Sequence, residues 1–103
     1  NALHMVGQLT EVLALPEEYG LASAYPNPFN PTTNINYTLP KTSKVVLYIY
    51  DIAGRQVDVL VDSNLEAGYH SVIWNAESNS SGIYFIKMIA GDYVNTQKLM
   101  LVK

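Results

Sequence analysis

Hydrophobic and polar residues alternate with the period of a β-strand through much of the chain. The clearest case is residues 34–39, where Ile35, Tyr37 and Leu39 fall on one face and polar residues on the other. This pattern predicts a strand with one buried face. Residues 44–50 are apolar at nearly every position, which predicts a central strand with both faces covered by neighbouring elements.

Clusters of glycine, asparagine, serine and aspartate divide the following sequence into further strands. These predicted strands cover residues 56–61, 69–74, 83–89 and 93–103. Polar loops are predicted at residues 62–68 and 75–82, and a tight turn at residues 90–92 forms a terminal hairpin. Six or seven short strands without a helical period predict an all-β fold, an antiparallel β-sandwich.

The turn at residues 51–55 joins the predicted central strand to the next strand and forms a hairpin. Asp51 can cap this turn through its carboxylate, and Gly54 suits a backbone position with positive φ.

Three prolines fall within six positions before the first predicted strand: Pro26, Pro28 and Pro31. Each proline fixes its own φ, lacks an N–H group and restricts the residue before it. No helix or central strand can therefore pass through this segment, and a stiff, extended corner is predicted. We expect the side-chain amides of Asn27 and Asn30 to replace the missing donors, and Phe29 to insert into the core.

The residues before this corner give a weaker signal. Apolar side chains recur at near-helical spacing at Leu3, Val6, Leu9, Val12 and Leu13, but residues 12–15 fit an added edge strand equally well. We interpret residues 1–24 as a linker or leader and residues 25–103 as the sandwich domain.

Composition excludes several classes of function. The 103 residues suffice for one domain, and 49% hydrophobic with 15% charged residues indicates a packed core. The net charge of −3, with six scattered basic residues, argues against nucleic acid as a partner. Without cysteine there is no disulfide and no thiolate chemistry. No apolar stretch approaches the roughly 20 residues that span a bilayer, and any export signal is expected upstream on a longer parent chain.

Candidate catalytic residues are sparse. His4 lies in the leader and His70 stands alone in a predicted strand, without a second histidine at metal-ligand spacing. The sequence contains no nucleophile elbow, P-loop or dinucleotide-binding glycine motif. The sequence therefore predicts a protein that is not an enzyme and that uses no cofactor.

Two weaker binding signals have alternative interpretations. Asp62, Asn64 and Glu66 alternate and could present oxygens to calcium, but a solvated turn is the preferred interpretation. Tyr48 and Tyr50 share one strand face and could stack on a sugar, but we favour a role at the core and rim of the sandwich.

Several motifs in a fixed order carry a family resemblance. The chain contains Tyr-Pro-Asn-Pro-Phe-Asn-Pro-Thr-Thr at residues 25–33, Tyr-Asp-x-x-Gly-Arg-x-Val at 50–57, Ala-Gly-x-His at 67–70, Ser-Gly-Ile-Tyr at 81–84 and Thr-x-Lys-x-x-Leu-Val-Lys at 96–103. It resembles the C-terminal sorting domains of the bacterial type IX secretion system over residues 15–103. The positions that carry the motif structurally are Pro26, Asn27, Pro28, Phe29, Asn30, Pro31, Asp51, Gly54, Arg55, Gly68 and Trp74.

The resemblance implies an immunoglobulin-like sandwich of about seven strands, similar also to the Ig-like domain of flagellar hook-capping proteins. It implies a non-catalytic domain that directs an attached cargo across the outer membrane, with a translocon and a surface sortase as partners and a secreted or cell-surface location. Recognition would lie at Ser81, Gly82, Ile83, Tyr84, Thr96, Lys98, Leu101, Val102 and Lys103. Cleavage would lie within Gly20, Leu21, Ala22, Ser23 and Ala24.

Two further expectations stand beside the sorting function. A structural, carbohydrate-binding or protein-binding sandwich is the alternative function. The long apolar strands of the terminal hairpin, residues 83–103, could also act as open edges and form a strand-exchanged homodimer.

Overall fold

The computed structural model describes residues 15–103, which form seven β-strands in two antiparallel sheets. The strands are β1 (Gly20–Leu21), β2 (Thr32–Leu39), β3 (Ser43–Asp51), β4 (Gln56–Leu65), β5 (Gly68–Asn75), β6 (Gly82–Ala90) and β7 (Tyr93–Leu101). The small sheet has the order β1-β2-β5 and the large sheet the order β4-β3-β6-β7. The prediction of an all-β, Ig-like antiparallel sandwich is confirmed.

Strand β2 forms the centre of the small sheet, paired with β1 and β5, and its apolar residues all point to one side. Ile35, Tyr37 and Leu39 are buried, while Asn34 and Asn36 are exposed, as the alternation predicts. The register with β5 places Tyr37 opposite His70, and their rings stack at 5.3 Å between centroids.

Strand β3 is central in the large sheet, as predicted, but only one of its faces is fully covered. Val45, Leu47 and Ile49 are completely buried between the sheets. The opposite face, which includes Tyr48 and Tyr50, is only half-buried. The sandwich has two layers, so side chains on this outer face are covered by neighbouring strands of the same sheet and not by a third layer.

Strand β4 extends to Leu65, so the prediction of a loop over residues 62–68 is wrong for its first four residues. The strand is exposed at most positions on both faces, and its pairing with β3 is interrupted by two irregularities. Residues 62–64 are all polar and exposed, so no hydrophobic alternation reveals this end of the strand. The loop between β4 and β5 is reduced to residues 66–67, and β7 ends at Leu101, two residues before its predicted end.

The core lies between the two sheets and is closed by an aromatic cluster. Trp74 of β5 is 1% exposed and contacts Phe29 of the proline corner and Tyr84 of β6, with ring centroids 5.4 and 5.2 Å away. The corner and both sheets therefore share one packing centre. No helix long and apolar enough to cross a membrane occurs in residues 15–103. The predicted alternatives for residues 1–14 lie outside the described residues.

Candidate functional site

The two predicted recognition segments lie side by side in the structure. Strands β6 and β7 pair antiparallel, with Gly82 opposite Leu101, Ile83 opposite Met100 and Tyr84 opposite Leu99. This pairing places the start of β6 beside the end of β7. We call the surface formed by residues 81–84 and 96–103 the β6–β7 patch.

Only part of the β6–β7 patch is available to a partner. Tyr84 and Leu101 are buried in the core, and the Tyr84 hydroxyl donates to the carbonyl oxygen of Ser80 at 2.6 Å. Thr96, Lys98 and Val102 are exposed. The motif residues of this patch therefore divide into a group that stabilises the fold and a group that faces solvent.

The last described residues are held against the loop that precedes β6. The backbone N–H of Lys103 donates to Ser81 Oγ at 3.0 Å, and Lys103 Nζ donates to the carbonyl oxygen of Glu77. Ser81 therefore fixes the direction of the chain after β7, which is a structural reason for a serine at this position.

The proline corner forms the other border of the β6–β7 patch. Phe29 donates its N–H to the Met100 carbonyl oxygen and accepts from the N–H of Val102, both at 2.9 Å. Phe29 is 2% exposed, so its predicted insertion into the core is confirmed. This short stretch runs parallel to the end of β7 and covers its outer edge.

Asn27 adds two side-chain hydrogen bonds to the same edge. Its Nδ2 donates to the Lys98 carbonyl oxygen at 2.9 Å, and its Oδ1 accepts from the Met100 N–H at 3.0 Å. The prediction that Asn27 replaces donors lost to proline is confirmed. For Asn30, which is exposed, the described residues offer no corresponding hydrogen bond. Nothing in the sequence indicated that the partner of the corner would be β7, more than 70 positions away.

The predicted cleavage region is part of the folded structure. Residues 20–21 form β1 on β2, and Leu21 and Ala24 are buried. Gln97 of β7 holds this region, because its Nε2 donates to the carbonyl oxygens of Leu21 (2.8 Å) and Ala22 (2.7 Å), while its Oε1 accepts from the Ala24 N–H at 3.3 Å. Sequence reasoning missed Gln97. The available signal was its position, because Gln97 falls on the same strand face as Leu99 and Leu101.

The turn between β3 and β4 is organised by Asp51, as predicted. Asp51 Oδ1 accepts from the N–H groups of Ala53 and Arg55, and Oδ2 accepts from Arg55 Nε, all at 2.9 Å. The N–H of Arg55 is the main reason that the pKa of the Asp51 carboxyl is lowered; the guanidinium and the Ala53 N–H lower it further, while desolvation opposes them. Gly54 has φ of 84°, which explains the glycine in this motif.

Two other motif residues have structural roles around β5. Gly68 begins the strand with φ of 145°. Trp74 donates its indole N–H to Asp58 Oδ2 at 3.2 Å, which links β5 to the edge strand β4 of the other sheet.

The described surface contains an open groove of about 580 Å³ on the small sheet, lined in part by Tyr37, Tyr69 and His70. His70 Nε2 donates to the Glu66 carbonyl oxygen at 2.8 Å, and burial raises the pKa of the Tyr37 phenol. None of the described residues that line this groove carries a carboxylate.

The two weaker binding signals receive no geometric support. Asp62 and Asn64 lie in strand β4, and residues 15–103 contain no group of three or more His, Cys, Asp or Glu side chains placed to hold a metal. The rings of Tyr48 and Tyr50 are tilted by 48° and half-buried, and so do not form a flat platform for a sugar.

Comparison with known proteins agrees with the motifs. A family model described as a secretion system C-terminal sorting domain matches residues 23–103, which is most of the chain. None of the curated proteins compared with the chain matches it. The matched range includes the proline corner, strands β2 to β7 and the whole β6–β7 patch.

Proposed function

The chain belongs to the family of secretion-system C-terminal sorting domains, and we propose that its β6–β7 patch is the surface that the type IX export machinery recognises. A type IX sorting tail marks its protein for secretion across the outer membrane, to the cell surface or the medium. The observation that carries this function is the family match over residues 23–103.

The exposed part of the β6–β7 patch supports its assignment as the recognised surface. Lys98 points to solvent from the part of β7 whose backbone is fixed by Asn27 and Phe29, and Thr96 is exposed two residues before it. A rigid strand with exposed side chains presents a defined pattern at low entropic cost to a partner. The translocon would therefore read the outer face of β7, while the buried face holds the domain together.

In this proposal the domain directs export, and any catalytic activity is that of the attached cargo. The family is in general non-catalytic. In this proposal a cargo domain precedes the sandwich on the same chain, and a sortase cuts between the two and attaches the cargo at the cell surface.

Cleavage within residues 20–24 would require local opening. This segment is paired with β2 and hydrogen-bonded by Gln97, and a protease needs an extended, accessible backbone. The sortase would thus act on a chain in which β1 has detached from the sandwich.

The sorting function is tested by fusing residues 15–103 to a periplasmic reporter in a host with a type IX system. The reporter is expected in the medium or on the cell surface. Retention in the periplasm, with the tail shown to be folded by protease resistance, would contradict the proposal.

The position of the recognised surface is tested separately with charge reversals. Lys98→Glu alters the patch without touching the core, and Lys41→Glu makes the same change in an exposed loop elsewhere. We expect Lys98→Glu to reduce secretion severalfold and Lys41→Glu to leave it unchanged. Equal secretion of the two variants would exclude Lys98 from the recognised surface. Truncating residues 99–103 is a poorer test, because it also removes the buried Leu99 and Leu101.

The cut site is tested on the exported reporter by N-terminal sequencing of the released tail. A new N-terminus within residues 20–24 is expected. A new N-terminus outside residues 20–24 would contradict this assignment.

A further inference from the structure

The four outer strand edges of the sandwich differ in how well they are protected. An unprotected edge presents unpaired N–H and C=O groups that can bind another extended chain. Strand β1 has only two residues. Strand β4 has two pairing irregularities, and Asp58 Oδ1 accepts from the N–H of Val59, which occupies one backbone donor. A very short strand and an irregular strand are both poor partners for another chain.

The edge of β7 is covered over its last third. Asn27 and Phe29 bind the outward N–H and C=O groups of residues 98–102, and Gln97 binds the segment that follows β1. The terminal hairpin, from which a strand-exchanged dimer was predicted, thus retains an open edge only near Val94 and Thr96.

Within the described residues, strand β5 has none of these protections. It pairs with β2 on one side, and the Ala76 N–H continues this pairing by donating to the Pro31 carbonyl oxygen. This bond shows which residues of β5 direct their backbone N–H and C=O groups to β2, because such residues alternate along the strand. Residues 70, 72 and 74 point their backbone groups to β2, so those of Tyr69, Ser71 and Ile73 point away from the sheet. Within residues 15–103 no hydrogen bond to these outward groups occurs.

The composition of β5 also suits the addition of a strand. Its eight residues, Gly-Tyr-His-Ser-Val-Ile-Trp-Asn, include no lysine, glutamate, aspartate or proline. Two side chains on its solvent-exposed face are large and accessible, Tyr69 at 71% and Ile73 at 60% exposure. A straight, uncharged edge of β-branched and aromatic residues is the type that accepts an additional strand.

The charges beside β5 select among possible occupants. Asp58 accepts a hydrogen bond from the Trp74 indole through its carboxylate. Glu66 accepts one from His70 through its backbone carbonyl oxygen, so both acidic residues lie next to β5. Both side chains are exposed, and neither takes part in the two ion pairs of the described residues. A second copy of this chain, with net charge −3, would bring its own acidic residues to the same place. An occupant with basic residues on that side is electrostatically favoured.

We propose that the free edge of β5 binds an extended polypeptide segment by β-augmentation, with apolar side chains beside Tyr69 and Ile73 and basic side chains towards Asp58 and Glu66. The backbone groups of residues 69, 71 and 73 provide the affinity, and the alternation of apolar and basic residues provides the specificity. This site is on the opposite sheet from the β6–β7 patch, and its existence does not depend on the sorting function.

The probe is a capped nine-residue peptide in which valine alternates with lysine, titrated into the ¹⁵N-labelled chain. We expect saturable shifts at the amides of Tyr69, Ser71 and Ile73, with slower hydrogen exchange at these positions. A peptide with glutamate in place of lysine should bind about fivefold more weakly, as expected from a few exposed ion pairs. A peptide with proline at its centre should not bind measurably.

Two variants of the chain separate the backbone from the charge contribution. Ser71→Pro removes one outward N–H without touching the ladder to β2, and should weaken binding at least about tenfold. Val94→Pro makes the matched change on the open part of the β7 edge and should leave binding unchanged. Asp58→Asn keeps an acceptor for Trp74 but removes the charge, and should bring the affinities of the lysine and glutamate peptides closer together.

Three results would overturn the proposal. The first is equal binding by the Ser71→Pro variant, shown to be folded by its amide spectrum. The second is binding of the glutamate peptide as tightly as the lysine peptide. The third is protection of the Tyr69, Ser71 and Ile73 amides by raised protein concentration alone, which would identify a second copy as the occupant.

Discussion

Asn27 connects the proline corner to the last strand through both ends of one side chain. It donates to Lys98 and accepts from Met100, and these bonds occupy backbone groups that would otherwise face solvent at the edge of β7. The two prolines beside it cannot donate, so the asparagine amide supplies what the backbone lacks.

We predict that Asn27→Ala lowers the free energy of unfolding by about 1–2 kcal/mol, because two exposed side-chain hydrogen bonds to the backbone are lost. Urea denaturation followed by Trp74 fluorescence measures the change. Asn30→Ala makes the same truncation three positions later in an exposed position and should change the stability by less than about 0.5 kcal/mol. Equal effects of the two variants would show that the hydrogen bonds of Asn27 contribute nothing.

Asp51 gives the turn between β3 and β4 a dependence on pH. Its pKa is lower in the folded chain than in the unfolded chain, so the unfolded state binds the proton more tightly. The stabilisation is therefore complete above the unfolded pKa and is lost as the pH falls through the folded pKa.

We predict that the stability difference between the natural chain and Asp51→Asn is largest near neutral pH and shrinks as the pH is lowered towards about 3. Unfolding curves at a series of pH values test this. Asp92→Asn, which removes a carboxylate from the exposed turn between β6 and β7, is the matched control. A difference that stays constant with pH would contradict the role assigned to the Asp51 carboxylate.

At the scale of secondary-structure elements, β1 depends on another strand more than on its own sequence. Two residues cannot form a stable strand alone. The segment is held because Leu21 is buried and because Gln97 donates two hydrogen bonds to its carbonyl groups.

We predict that Gln97→Glu releases this segment, because a carboxylate cannot donate to the carbonyl oxygens of Leu21 and Ala22 and would face them directly. Hydrogen exchange at the amides of Ala22 and Ala24 should accelerate, and the free energy of unfolding should fall by about 2 kcal/mol. Asn95→Asp introduces the same change two positions earlier, where the side chain contacts the Tyr93 hydroxyl instead of β1. If the amides of Ala22 and Ala24 exchange at the same rate in both variants, Gln97 does not hold the segment.

The elements that could be predicted from sequence are those whose burial follows from their own pattern. Strand β2 alternates, strand β3 is a continuous apolar run, and the corner contains three prolines, so each was predictable from a few adjacent residues. The end of β4 was not, because residues 62–64 are all polar and carry no hydrophobic period. The contacts of Asn27, Phe29 and Gln97 were not predictable either, because their partners are distant in sequence and the residue types at those partners fit many arrangements.

At the scale of the whole molecule, one hairpin serves both stability and the proposed recognition. The inward faces of β6 and β7 supply buried core residues, among them Ile86, Met88 and Leu99. Their outward residues and their far end form the β6–β7 patch. Changes to this patch must therefore be restricted to its exposed side chains if secretion and folding are to be separated.

The predicted boundary between a leader and the sandwich at residue 25 can be tested with two chains, residues 15–103 and residues 25–103. We predict that both fold, but that the shorter chain is less stable by about 3 kcal/mol. It loses the buried Leu21, and with it the Gln97 bonds and the stacking of Tyr19 on Tyr93 at 5.6 Å. Thermal and urea unfolding of the two purified chains provide the comparison. Failure of the shorter chain to fold would place the start of the domain before β1, and equal stability would mean that residues 15–24 contribute nothing to the fold. If the shorter chain folds but is less stable, a cut within residues 20–24 would leave a folded sandwich during export. That sandwich would be weakened at the edge from which the cargo was removed.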